Sequence, residues 1–71
     1  MARHWSAYTP NVSPKQAYAL DRIAEANGHA SGLALLMSLA GCSSSKTQKM
    51  MGDYPTARRL LDEAFALRSA E

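Results

Sequence analysis

The sequence predicts a small all-α domain of four helices. Apolar residues recur at helical intervals, and serine, proline and glycine mark the ends of the periodic stretches. No stretch of the sequence alternates apolar and polar residues with the β-branched side chains typical of strands. The chain has 71 residues, enough for one domain. We expect residues 1–12 to form an extended N-terminal arm and residues 13–71 to form a single helical domain.

The N-terminal arm carries Trp5, Tyr8 and Pro10 but shows no periodicity. Two arrangements remain open for it. Its aromatic side chains can fold back and cover the core, which is the arrangement we favour. Alternatively, the arm can reach into a groove of nucleic acid, led by Arg3.

The first helix has clear signals at both ends. Ser13 offers an N-cap hydroxyl, Pro14 suits the first helical position, and Gln16 stands where a capping box places its amide. The apolar face consists of Ala17, Leu20, Ile23 and Ala24. Asn27-Gly28 tolerates the left-handed conformation that ends many helices. These signals predict a helix over about residues 14–26.

The second helix is predicted to start at Ser31 or Gly32 and to end at Ala40. Its sequence, LALLMSLA, is apolar on nearly every side, which is unusual for a helix on a protein surface. It is either the central helix of the domain or shares one face with another subunit. In the second case the dimer or partner interface would include Leu35 and Leu39. A chain this short makes a marginal core, so both arrangements stay open.

The third helix is predicted to begin soon after Gly41 and to end at Gly52. Three serines offer capping hydroxyls at its start. Helical spacing separates an inner side from an outer side. The inner side contains Thr47, Met50 and Met51, and the outer side contains Ser44, Ser45, Gln48 and Lys49.

The fourth helix is predicted over about residues 55–68, after a turn formed by residues 53–56. Its buried face consists of Ala57, Leu60, Leu61, Ala64 and Phe65. Arg58 and Arg59 fall on its solvated face with two acidic residues one turn later.

Several classes of function are disfavoured by the composition. Cys42 is the only cysteine, so no disulfide forms within the chain, and without an export signal it fits a reducing cytoplasm. His4 and His29 have no thiol or carboxylate at a ligand-like spacing. The longest apolar run, LALLM, is far shorter than the roughly 20 residues of a membrane span. We therefore expect no metal, cofactor, membrane span or enzymatic activity.

Two helices joined by a short turn that contains glycine describe the helix-turn-helix motif. Ala40-Gly41-Cys42-Ser43 fits such a turn, with Cys42 acting as a small apolar residue. The net charge of +2 suits an acidic partner such as nucleic acid.

At these residues the chain resembles the DNA-binding headpiece of lac-repressor-type regulators. The similar stretch is LMSLAGCSSSKTQKMM followed by YPTARRLLDEAF, about residues 33–67. The resemblance rests on Ala40, Gly41, Ser43, Met50, Met51, Thr56 and Arg58. It implies that the third helix enters the major groove of double-stranded DNA. The duplex contacts would then come from Ser43, Ser44, Ser45, Lys46, Gln48, Lys49, Arg58 and Arg59, with Gln48 facing adenine and the cations facing phosphates.

We therefore hypothesise a small homodimeric helix-turn-helix regulator of transcription. The alternative is a helical protein-protein interaction module, such as a phage or mobile-element inhibitor of a host protein. In that case LALLMSL would be the partner surface and the serines would only cap a turn. A DNA-binding protein binds duplex with an affinity that falls steeply as the salt concentration rises. An inhibitor of a host protein should not bind duplex detectably.

Overall fold

The protein is described here from a computed structural model, which covers residues 4–67. Within this range the chain forms four α-helices and no strand, which confirms the predicted all-α class. A short 3-10 helix, Trp5–Tyr8, precedes them. The α-helices are α1 (Pro14–Ala26), α2 (Gly32–Ala40), α3 (Ser44–Met50) and α4 (Tyr54–Leu67).

The central element of the domain is α2, which packs against α1, α3 and α4. Its Leu35 and Leu36 side chains are fully buried among apolar residues of the other helices. The prediction that Leu35 belongs to a dimer or partner interface is therefore wrong, because the core of one chain already encloses it. Leu39 is only partly buried and packs against the edge of the same core.

The ends of α1 and α2 lie where the sequence predicts them. Ser13 and Gln16 form a complete capping box, in which each side chain accepts a hydrogen bond from the other residue's backbone N–H. The Ser31 hydroxyl accepts from the Ala34 N–H at the start of α2. Gly41 ends α2 in the left-handed conformation, with φ of 69°.

The start of α4 differs from the prediction of a turn over residues 53–56, because the helix already begins at Tyr54. A carboxylate oxygen of Asp53 accepts from both the N–H and the hydroxyl of Thr56, so Asp53 caps the helix. Pro55 fits within the first turn because no helical hydrogen bond is required of its nitrogen. Residue 68, the predicted last residue of this helix, lies outside the described residues.

Residues 4–12, called here the N-terminal segment, are not extended throughout as predicted. His4 caps the 3-10 helix through Nδ1, which accepts from the Ser6 N–H. The segment folds back so that Trp5 packs against the core, and Val12 is buried within it. Residues 4–12 therefore adopt the first of the two predicted arrangements, in which the arm folds back over the core. Arg3, which would lead the arm into a groove, lies outside the described residues.

Asp21 of α1 anchors the N-terminal segment. Its Oδ2 lies 2.7 Å from His4 Nε2, and its Oδ1 accepts from Trp5 Nε1 at 2.9 Å and from the Gly32 N–H at 2.7 Å. Partial burial raises the pKa of Asp21, but the hydrogen bonds from Gly32, His4 and Trp5 outweigh this effect and hold the pKa below its ordinary value. The carboxylate thus joins α1, the start of α2 and the N-terminal segment.

Gly32 permits this close arrangement. A Cβ atom added there would lie 2.7 Å from Trp5 Cζ2 and 2.8 Å from Leu20 Cβ. Both distances are well inside van der Waals contact, and Leu20 is fully buried. The first residue of α2 must therefore lack a side chain.

We predict that Gly32→Ala lowers the free energy of unfolding by about 2–3 kcal/mol, because the added methyl overpacks the contact with Leu20 and Trp5. Gly41→Ala is the matched comparison, since open space surrounds Gly41 and only its left-handed backbone is at issue. It should cost about 1 kcal/mol. Urea unfolding measures both, and equal losses would contradict the packing role of Gly32.

We predict that stability depends on the ionisation of Asp21. Its folded-state pKa is lower than the unfolded one, so the stabilisation is present above the unfolded-state pKa. It should be lost on the acid side of the ordinary aspartate pKa of 3.8, as the pH falls through the folded-state pKa. Asp21→Asn should be less stable by about 1–2 kcal/mol at neutral pH and lose less stability on acidification.

Asp62→Asn serves as the control for Asp21→Asn, because Asp62 is exposed and pairs only across the surface of α4. Unfolding by urea at a series of pH values compares the two variants with the parent protein. Parallel stability curves for the parent and Asp21→Asn would show that Asp21 does not anchor the segment.

Candidate nucleic-acid interface

The corner between α2 and α3 consists of Gly41, Cys42 and Ser43. The N–H groups of Gly41 and Cys42 both donate to the Met37 carbonyl, at 2.8 and 3.3 Å, which closes the end of α2. The Ser43 hydroxyl then accepts from the Lys46 N–H at 3.4 Å and caps α3. Three residues therefore connect two helices that pack against each other, which is the connection length that a helix-turn-helix unit requires.

The inner side of α3 is buried as the sequence predicts. Thr47 and Met51, the latter directly after the helix, are fully enclosed, and Met50 is half-buried. Met50 Sδ lies 3.6 Å from the Cys42 sulfur, so the corner and the helix share a small sulfur contact. The Thr47 hydroxyl has no hydrogen-bond partner among the described residues. Its burial is therefore opposed by an unmade hydrogen bond.

The outer side of α3 presents small polar and basic side chains to solvent. Ser43, Ser44, Ser45, Lys46 and Lys49 are all exposed. No ion pair to either lysine occurs within residues 4–67, so both ammonium charges stay unneutralised there. This surface, defined here by Ser44, Ser45, Lys46 and Lys49, is called the α3 outer face.

The prediction that Gln48 contacts adenine requires an exposed side chain, and the structure does not show one. Gln48 is half-buried, and its Nε2 donates to the Thr9 hydroxyl at 3.3 Å. The N-terminal segment thus contacts the same helix that would face DNA. Sequence reasoning missed this contact because the two residues are 39 positions apart.

The arginines of α4 are exposed, but each is paired with an acid. Arg58 lies 3.6 Å from Asp62, and Arg59 lies 3.5 Å from Glu63, both one helical turn away. A hydrogen bond from Arg58 to Tyr54, together with the nearby Asp62, raises the pKa of Arg58. Arg58 also lines a groove of about 330 Å³ with Asn11, Gln16 and Phe65, between α4 and the start of α1. The unbalanced positive charge therefore belongs to α3 rather than to α4.

Asn11 is a second contact that sequence reasoning missed. Its Nδ2 donates to the Met51 carbonyl at 2.7 Å, beyond the end of α3. Asn11 has φ of 63°, a left-handed conformation that asparagine tolerates better than most residues. The sequence Pro10-Asn11 does indicate a turn. It does not indicate that the Asn11 side chain binds the Met51 carbonyl.

Two further observations concern possible metal ligands and the length of the helices in residues 4–67. No group of three or more histidine, cysteine, aspartate or glutamate side chains comes together there. None of the helices in that range has the length and apolar character needed to cross a bilayer.

Comparisons of the chain with protein-family models, with curated proteins and with solved structures return no match. The resemblance to lac-repressor-type headpieces therefore stays a prediction. It rests on residues of the corner, of α3 and of the start of α4.

We predict that Thr47→Val raises the free energy of unfolding by about 1 kcal/mol, because valine keeps the β-branched shape and removes the unpaired hydroxyl. Thr47→Ser is the matched control, since it keeps the hydroxyl and removes a methyl group, and it should be destabilised. Thermal or urea unfolding measures both variants. A loss of stability in Thr47→Val would mean that the hydroxyl has a partner in solution.

Proposed function

We propose that this protein binds double-stranded DNA through α3 and acts as a small dimeric regulator of transcription. One observation supports this proposal above the others: α3 follows a glycine corner, buries Thr47 and Met51, and leaves two unneutralised lysines exposed. A helix seated in this way can lie in the major groove while the rest of the domain stays outside it.

Phosphate contacts would supply most of the affinity. Lys46 and Lys49 are long, exposed and unpaired within the described chain, so they can reach phosphates of a duplex that contacts α3. Ser44 and Ser45 are short and can donate to or accept from phosphates and base edges alike. Arg58 and Arg59 would contribute less, because Asp62 and Glu63 partly balance their charges.

The dimer in this proposal needs a surface other than Leu35. One headpiece makes too few contacts for firm binding, so a second copy would read a second half-site. Partly buried Leu39 remains at the edge of the core, and Tyr8, Tyr18 and Tyr54 are largely exposed. Such a regulator would act in the cytoplasm, where the thiol of Cys42 stays reduced.

The exposed tyrosines favour a second candidate function, binding to another protein. Tyr8, Tyr18 and Tyr54 each keep 61% of their surface accessible, so three aromatic rings are open to a partner. Tyrosine is enriched at protein interfaces because it combines a rigid apolar ring with a hydroxyl. An inhibitor of a host protein would bind its target through these tyrosines, and the lysines of α3 would not take part in binding.

We predict that Lys46→Ala with Lys49→Ala weakens duplex binding at least tenfold at low salt. The slope of log affinity against log salt should become shallower by about 2, since each lost phosphate contact removes about one unit. Fluorescence anisotropy with a labelled duplex at several salt concentrations measures both quantities. The physical reason is that fewer counterions are released when two cations are missing.

The matched control is Lys15→Ala with Arg22→Ala, which removes the same charge from exposed positions on α1. It should weaken binding much less, because α1 lies outside the proposed contact. Equal effects of the two double variants would indicate a general attraction to DNA and contradict the role of α3. Absence of duplex binding by the parent protein would favour the second candidate.

A further inference from the structure

A continuous series of hydrogen bonds connects α3 to Asp21. Gln48 Nε2 donates to Thr9 Oγ1 at 3.3 Å, and that hydroxyl donates to the Trp5 carbonyl at 3.0 Å. Trp5 Nε1 in turn donates to Asp21 Oδ1 at 2.9 Å. Thr9 is almost fully buried, with 5% of its surface exposed, so its hydroxyl is fixed in place. The Gln48 amide is thus held by the N-terminal segment.

This contact orients Gln48 away from the geometry that reads a base. A glutamine recognises adenine when its amide nitrogen and oxygen face N7 and N6 of the base together. In the structure one N–H of the amide donates to Thr9, which is nearly buried, so the amide end of Gln48 lies against the N-terminal segment and not in an open position from which it could reach a base. Gln48 would have to leave Thr9 before it could make the bidentate contact.

The residues of the α3 outer face discriminate poorly between bases. Serine hydroxyls can serve as donors or acceptors, and lysines at this surface would meet phosphates. Gln48 is therefore the one residue of α3, a helix described in full, whose side chain can make a bidentate contact with adenine. Whether Gln48 is hydrogen-bonded to Thr9 therefore determines whether α3 has a side chain available to recognise adenine.

We propose that Thr9 is a positioning residue that determines sequence preference by withholding Gln48 from the bases. Duplex binding in the observed state is then directed at phosphates and has little preference for sequence. Releasing Gln48 adds a preference for adenine in the major groove. This inference rests on the proposed function, because it concerns how the same α3 outer face meets DNA.

The N-terminal segment is held firmly enough to exert this control. Asn11 donates to the Met51 carbonyl at 2.7 Å, on the far side of Thr9 from Trp5. Asp21 holds the other end through His4 and Trp5. Thr9 therefore lies between two anchored points, and replacing its hydroxyl should free Gln48 without detaching the segment.

The test compares binding to a duplex of only A·T pairs with binding to a duplex of only G·C pairs. Thr9→Val removes the hydroxyl and nearly keeps the volume of the side chain. The ratio of the two affinities should change by about tenfold in favour of A·T relative to the parent protein. Thr9→Ser keeps the hydroxyl and should behave as the parent does.

Thr9→Val combined with Gln48→Ala shows whether Gln48 causes the change. The proposal expects the ratio to return to that of the parent. A structural disturbance alone would lower both affinities and would not create a preference that depends on Gln48. An unchanged ratio in Thr9→Val, with binding retained, overturns this inference and leaves the proposed function standing. No binding of either duplex by the parent protein rejects the proposed function itself.

Gln48→Ala in the parent background provides a measurement that does not require Thr9→Val to fold. Because Gln48 is withheld from the bases, its removal should change the affinity for each duplex less than about twofold. A loss of tenfold confined to the A·T duplex would show that Gln48 already reads adenine, and would overturn the proposal. Circular dichroism of each variant verifies that the helices are intact.

Discussion

The Asp21 carboxylate joins three parts of the chain that do not otherwise have to lie together. It accepts from the side chains of His4 and Trp5 and from the backbone of Gly32, while it belongs to α1 itself. A small core leaves little apolar burial to fix the angle between two helices, so a charged acceptor with several donors carries unusual weight. The absence of a side chain at Gly32 lets these groups approach.

The position of α3 depends on the core and, through the N-terminal segment, on this anchor. A helix of seven residues is too short to be stable by itself, so its place depends on contacts outside it. Thr47 and Met51 attach its inner side to the core, and the N-terminal segment reaches its outer edge through Thr9 and its end through Asn11. The same segment that is fixed by Asp21 therefore sets which side chains of α3 remain free. The function proposed for the α3 outer face depends on that arrangement.

Local signals in the sequence predicted most of the fold. The capping box at Ser13, the left-handed Gly41 and the burial of Thr47 and Met51 were each predicted from residues within one or two helical turns. The predictions that failed depend on distant partners. An apolar helix does not reveal what covers it, so Leu35 was assigned to an interface although the other helices enclose it. The hydrogen bond of Gln48 to Thr9 and that of Trp5 to Asp21 join residues far apart in the sequence, and no local pattern encodes them.

A titration followed by NMR most directly tests whether the α3 outer face meets DNA. The protein labelled with ¹⁵N is mixed with increasing amounts of a short duplex, and the backbone amide shifts are recorded. If α3 meets the duplex, the largest changes fall on residues 43–49, with small changes around Tyr8, Tyr18 and Tyr54. Changes centred on the tyrosines, or none anywhere on α3, would contradict the contact between α3 and DNA.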